Sequence, residues 1–274
     1  MFSSLLSVPE AILLGLVEGI TEFLPVSSTG HLLFVQELIG LGSNDAGTAA
    51  DTFAVAIQFG AILAVLFLYR ARVSAVLQGV AGRNEQGRRL FMNLVVAFLP
   101  AAIIGVVAGD AIKDAVFGPV PIVIAWILGG LLLVVWTPRS GSVELDDLGA
   151  RSAMLIGLGQ VLAMWPGVSR SLATLVVGLL LGLTLSAAVE FAFLLGVVTL
   201  TAAAGLDLVK HGGELVDKFG VGAPVVGLVV AFVSAVIAVK WMVGFLTSHS
   251  LRAFGWYRIA VGVIGIGMIV AGAV

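Results

Sequence analysis

Apolar residues run along this chain in long blocks, and the polar breaks between them are of two kinds. Six blocks, near residues 53–69, 91–109, 119–136, 187–209, 221–246 and 255–274, are bounded by charge, proline or glycine and read as full membrane spans. Two further stretches, near 8–40 and 152–183, are apolar overall but interrupted in the middle. The first is broken by Pro25-Val-Ser-Ser-Thr-Gly30 and the second by Pro166-Gly-Val-Ser-Arg-Ser171. Each piece is too short to cross a bilayer alone, so each stretch predicts a re-entrant helix pair. Irregular backbone is tolerated at membrane depth only beside protein or water, which points to a polar cavity.

The order is therefore pair, span, span, span, twice over. Three spans per half turn the second half upside down, which predicts an inverted-topology repeat with its site at the repeat interface. A shift of 142 residues sets Glu18 on Gln160, Ser27 on Ser169, Ser28 on Arg170 and Thr29 on Ser171, with Pro25 and Pro166 one residue out of step. The expected architecture is an all-α integral membrane protein of about six transmembrane helices plus two re-entrant pairs. It forms one membrane domain, 1–274, with pseudo-repeats at about 1–136 and 150–274 joined by a loop at about 137–151.

Composition agrees with lipid as the surrounding solvent. Of the 274 residues 60% are hydrophobic and 11% charged, with a mean hydropathy of +1.16; a soluble domain carries about 25% charged residues. The 35 glycines suit tight helix crossings, and the pattern is as compatible with a homodimer as with a monomer. The net charge of -2 and the lack of a basic stripe argue against nucleic acid as a partner. With no cysteine and three histidines, disulfides, thiolate metal sites, cysteine nucleophiles and a histidine-rich metal centre are excluded.

Met1-Phe2-Ser3-Ser4 lacks the basic segment of a cleavable signal peptide, so the first apolar stretch is expected in the mature protein. Arg70, Arg72, Arg83, Arg88 and Arg89 against Glu85 put the loop after the first span in the cytoplasm. The loop near 137–151 is then also inside, the first pair opens outward, the second opens inward, and both termini lie outside. Trp126, Trp136, Trp165, Trp241, Trp256 and Tyr257 are expected mainly as interface anchors.

Candidate chemistry sits at the two breaks. Glu18 and Glu22 are four apart and share a helix face. A carboxylate at bilayer depth costs about 2.5–3.5 kcal/mol on insertion scales. The pair therefore reads as an acid/base or metal-binding pair, or else as carboxylates that reach the interface or pair with an arginine. Pro25 stops their helix, and Ser27, Ser28 and Thr29 are positioned to open the next, whose free amides make an anion site. His31 follows one turn in, as a structural residue or a general acid or base. At the second break Ser169, Arg170 and Ser171 open a helix, with Thr174 one turn on. Arg170 reads as a planar clamp on phosphate, or as the structural partner of Glu18 or Glu22.

The segment Glu18-Gly-Ile-Thr-Glu22-Phe-Leu-Pro-Val-Ser-Ser-Thr-Gly-His31 resembles the N-terminal signature of the undecaprenyl-diphosphate phosphatases of bacitracin-resistance type. Pro166-Gly-Val-Ser-Arg-Ser-Leu-Ala-Thr174 resembles that family's second motif, PGxSRSxxT. Weaker echoes occur at Ile57–Val65, Glu190–Leu195 and Tyr257-Arg258-Ile259, so the likeness spans nearly the whole chain. The resemblance implies an inverted-repeat fold with re-entrant helices in the bacterial inner membrane. It implies hydrolysis of undecaprenyl diphosphate to the monophosphate and inorganic phosphate, with a divalent cation and a site open to the outer face.

The matching positions are Glu18, Glu22, Ser27, Ser28, His31, Ser169, Arg170, Ser171 and Thr174. Ser28 is the expected nucleophile, with Ser27 next and His31 a further alternative. Glu22 and Glu18 would polarise the hydroxyl or hold Mg²⁺ or Ca²⁺, for which oxygen ligands are equally suited. Arg170 would clamp the diphosphate. The chain departs from the family's usual residues at Ala54, Leu172, Val198 and Thr184-Leu185-Ser186, and Ala54 removes one candidate carboxylate. A flippase of a polyprenyl phosphate is the alternative class: it needs the anion clamp but no aligned nucleophile.

Overall fold

The computed structural model describes residues 6–41 and 47–274, and Met1–Ser4 lie outside them. The described residues are helical throughout, apart from turns, loops and one isolated bridge between Val143 and Leu183. The helices are α1 (Val8–Thr21), α2 (Ser28–Leu38), α3 (Gly47–Leu68), α4 (Arg70–Val80), α5 (Glu85–Val116), α6 (Pro119–Val135), α7 (Ala150–Val161), α8 (Arg170–Leu180), α9 (Leu185–Phe219), α10 (Gly222–Leu246) and α11 (Arg252–Val270).

Their ends follow from local sequence. Ser7 and Glu10 form a reciprocal capping box at α1, with Pro9 in its first turn. Asn84 caps α5 and Thr184 caps α9 through their side chains. Among the described residues five helices, α3, α5, α9, α10 and α11, are long and apolar enough to cross a membrane. The block expected as a sixth span near 119–136 forms the shorter α6, of 17 residues. The two interrupted stretches fold as short helices on either side of their breaks, α1 with α2 and α7 with α8. Helix α4 is a short element between α3 and α5 that the apolar pattern did not resolve.

Close backbone approach holds the bundle together. Helix α1 packs on α10 and α7 on α5, while α6 packs on α11 and α3 on both α9 and α10. Gly15 lies against the Gly227 carbonyl and Gly157 against the Ala97 carbonyl, and a Cβ at either glycine would collide with backbone. The main apolar core, including Phe23, Ile156, Phe191 and Phe193, lies beside the breaks. Large apolar side chains such as Val106, Val135, Val209 and Val270 face outward, as lipid contact requires.

On the side that holds the arginine-rich loop, Arg72 bridges Glu190 and Asp146 at 2.8 Å each. Backbone hydrogen bonds from Gly141 and Val143 pin the central loop to the turn before α9. The aromatic residues divide: Trp136, Trp241, Trp256 and Tyr257 are exposed, whereas Trp126 is buried. Its indole N–H donates to the Val26 carbonyl at 3.0 Å, so Trp126 supports the first break and is no interface anchor.

Candidate functional site

Both breaks enter their second helix through a serine in the left-handed region. Ser27 has φ 73° and ψ 98°, Ser169 has φ 75° and ψ 113°, and they are the only non-glycine residues with positive φ among the described residues. Such a backbone costs about 1–2 kcal/mol for an L-residue, so the surroundings must hold it. They do so by tying the breaks to each other. The Gly167 amide donates to Ser27 Oγ at 3.1 Å, and the Ser171 hydroxyl donates to the Leu24 carbonyl at 2.9 Å. Behind both, the fully buried Arg258 donates to the carbonyls of Pro25, Ala125 and Gly167 at 3.3, 2.9 and 2.8 Å.

In front of the breaks is a cavity of about 180 Å³. It is lined by Glu22, Ser27, Ser28, Thr29, Ser169 and Arg170, with Gln58 from α3, Gln160 from α7 and Thr199 from α9. Glu22 joins the two halves of the chemistry. One of its carboxylate oxygens accepts a hydrogen bond from the Ser28 hydroxyl, and the other accepts from Arg170 Nη2 at 3.0 Å.

Arg170 is fixed on its other sides. Nη1 donates to the Ala192 carbonyl at 2.9 Å, the guanidinium lies 5.1 Å from the Phe23 ring centroid, and Gly196 leaves no room for a Cβ beside it. A hydroxyl held on a carboxylate that a cation orients is the arrangement of an activated nucleophile. The entry to α2 adds unspent donors, because the Ser27 hydroxyl accepts from Gly167 and caps no amide of its own helix.

Of the remaining expected residues Ser169 lines this cavity, and Glu18, His31, Ser171 and Thr174 do not. Glu18 is fully buried one turn before Glu22, and neither of its oxygens meets a hydrogen-bond donor. Ser169 accepts from the Leu172 amide at 3.3 Å and so caps α8. Leu172, the departure inside the second motif, is buried at that cap. Thr174 donates to backbone carbonyls of its own helix at 2.9 and 3.2 Å, and neither Thr174 nor Ser171 lines the cavity.

His31 does not line the cavity either and turns towards Trp126 and Tyr257. Its Nδ1 lies 2.7 Å from the Ser27 carbonyl and its Nε2 lies 2.9 Å from the Tyr257 hydroxyl. A carbonyl only accepts, so Nδ1 carries the proton and Nε2 accepts from Tyr257. The ring thus braces the Ser27 turn.

Gln58, Gln160 and Thr199 at the cavity wall and Arg258 behind the breaks were not among the expected site residues. Arg258 carried a readable signal, since an arginine inside an apolar helix is as costly there as Arg170 is at its break; Gln160 carried a weaker one, as the 142-residue counterpart of Glu18.

The model for the family "Bacitracin resistance protein BacA" matches residues 11–264. An undecaprenyl-diphosphatase of Methylococcus capsulatus is 47% identical over 264 residues, covering 93% of this chain and 92% of its own. One from Sorangium cellulosum is 43% identical over 262 residues, covering 93% and 84%. Undecaprenyl-diphosphatase 2 of Rhodospirillum rubrum is 44% identical over 259 residues, covering 93% and 92%.

Proposed function

The chain belongs to the bacitracin resistance protein family, and from that premise and the geometry of the cavity we propose that it hydrolyses undecaprenyl diphosphate to undecaprenyl phosphate and inorganic phosphate. The observation that carries this reading is the continuous chain from the Ser28 hydroxyl through Glu22 to Arg170 at the cavity wall. A flippase would need the cation but not a hydroxyl already resting on a carboxylate.

In this reading Glu22 takes the Ser28 proton as Ser28 Oγ attacks the terminal phosphorus. The bond from that phosphorus to the bridging oxygen breaks, and the lipid monophosphate departs with the proton handed on by Glu22. A water, deprotonated by the freed Glu22 carboxylate, then attacks phospho-Ser28; the bond from phosphorus to Oγ breaks, Glu22 returns the proton to Oγ, and orthophosphate leaves. Arg170 and the open amides at the start of α2 stabilise charge on the equatorial oxygens. The anion competes with Glu22 for Arg170, which frees the carboxylate at the moment when it must hold a proton.

A divalent cation fits the donor set. Glu18 presents two buried oxygens without partners one turn from Glu22, and oxygen ligands suit Mg²⁺ or Ca²⁺. Glu18 and Glu22 would hold it as a pair, since among the described residues no cluster of three or more His, Cys, Asp or Glu occurs. Such an ion would supply positive charge against the diphosphate.

The proposed setting is an inverted repeat in the bacterial inner membrane, with termini and cavity towards the outer face. Several pairings support the repeat. Helices α1 on α10 and α7 on α5 are corresponding contacts, Gly15 and Gly157 at their crossings are 142 residues apart, and so are Ser27 and Ser169. Where α6 meets α11, Gly130 and Gly255 each lie against the other's carbonyl, as a two-fold axis between them requires.

The test is phosphate release from undecaprenyl diphosphate by purified protein in detergent, with and without EDTA, beside Arg170→Ala. Release that needs the metal and is lost in the variant supports the reading. Folded wild-type protein that binds the lipid and releases no phosphate would sink it.

A further inference from the structure

Helix α11 belongs to neither break, yet two consecutive residues of its first two turns reach both. The Tyr257 hydroxyl donates to His31 Nε2 at 2.9 Å, and His31 Nδ1 donates to the Ser27 carbonyl at 2.7 Å. Arg258 goes further in. Its Nη1 donates to the Pro25 carbonyl at 3.3 Å, and its Nη2 donates to the carbonyls of Gly167 and Ala125 at 2.8 and 2.9 Å. One guanidinium thus joins the first break, the second break and the middle of α6.

The seat is shaped for that group. Arg258 is fully buried, all its hydrogen bonds go to backbone carbonyls, and no carboxylate pairs with it among the described residues. A cation without an acid is costly inside an apolar bundle, so packing must hold it in place. Gly130 and Gly255 let α6 and α11 cross closely, and a Cβ at Gly129 would collide with the guanidinium. Gly167 is gripped from both sides. Its carbonyl accepts from Arg258, its amide donates to Ser27 Oγ, and it lines the cavity. A planar fork with two separate nitrogens can span the two breaks, and a single ammonium cannot.

We infer that Arg258 is a positioning residue for the reaction: it holds the two breaks in register, so that Ser28 on Glu22 and Arg170 face one cavity, and it acts through Gly167 and the turn at Ser27. This rests on the phosphatase reading for the identity of the reaction. Ser28 follows Ser27 directly and Arg170 stands three residues after Gly167, so a shift at either carbonyl carries a reacting group with it. A misplacement of about 1 Å in such groups costs about 10²-fold in rate.

The test is phosphate release from undecaprenyl diphosphate by the full chain in detergent, well below the melting temperature of each variant. Affinity for a non-hydrolysable prenyl methylenediphosphonate is measured beside it. Arg258→Lys keeps the charge and loses the fork. It is expected to lower kcat by about 10- to 100-fold, with affinity for the probe within a few-fold of wild type. Gly129→Ala crowds the guanidinium without removing it and is expected to shift kcat in the same direction, which keeps the test open if Arg258→Lys does not fold. A lower melting temperature with kcat intact would make Arg258 purely structural and overturns the inference. So does a loss confined to KM and probe affinity. Arg258→Lys combined with Ser27→Gly, which cuts the tie to Gly167, is expected to lose less than the product of the two single losses; fully multiplicative losses overturn the route through Gly167. Wild type that releases no phosphate removes the phosphatase reading and the inference together, whereas active wild type with an unimpaired Arg258→Lys removes the inference alone.

Discussion

The two breaks share a backbone and divide the chemistry. Each ends a helix at an interruption and starts the next through a left-handed serine, Ser27 in one and Ser169 in the other. From there they diverge. Ser27 reaches across to the Gly167 amide and leaves the α2 amides open, whereas Ser169 turns inward and caps α8. The first break supplies carboxylates and the hydroxyl, and the second supplies the guanidinium. The same turn thus presents different chemistry at the two breaks through the side chains placed on it.

Substitutions at the shared chemistry should hurt most. Glu22→Gln keeps the shape and removes the base, and is expected to lower phosphate release by about 10³-fold, with the protein still folded by thermal melting. Arg170→Lys keeps the charge and loses the planar fork, and is expected to cost about 10²-fold in kcat/KM. Gly196→Ala pushes a methyl into the Arg170 guanidinium and should cost about tenfold, chiefly in KM, with no change at the first break.

The smallest effects should separate the two turns. Glycine suits the backbone of both serines, so Ser169→Gly should melt within a few degrees of wild type, the lost cap being offset by relief at φ. Ser27→Gly gains the same relief but cuts the tie to Gly167, and should lose several-fold more activity than its counterpart. Equal activity losses would mean that the cross-tie carries nothing.

Much of this was legible in the sequence because burying charge in an apolar helix is expensive. Glu18, Glu22 and Arg170 announced themselves by that cost, and Pro25 and Pro166 marked where helices must stop. Arg170 pairs with Glu22 at the cavity wall, which is the structural alternative the sequence offered for it.

What could not be read was direction. Ser171 and Thr174 belong to the second motif, yet their hydroxyls are spent on backbone carbonyls, and His31 turns away towards Tyr257. Gln160 and Thr199 are neutral residues in apolar helices, where only the fold reveals that they meet. Trp126 looked like an interface residue because tryptophan favours interfaces, but the carbonyl exposed by the first break needed a buried donor.

The central claim is that Ser28, resting on Glu22, attacks the phosphate that Arg170 holds. It is tested most directly by phosphate release from undecaprenyl diphosphate under saturating substrate, comparing wild type with Ser28→Ala at matched thermal stability. The account predicts a loss of about 10³-fold or more, with lipid binding retained. A Ser28→Ala protein that turns over within a few-fold of wild type would contradict it.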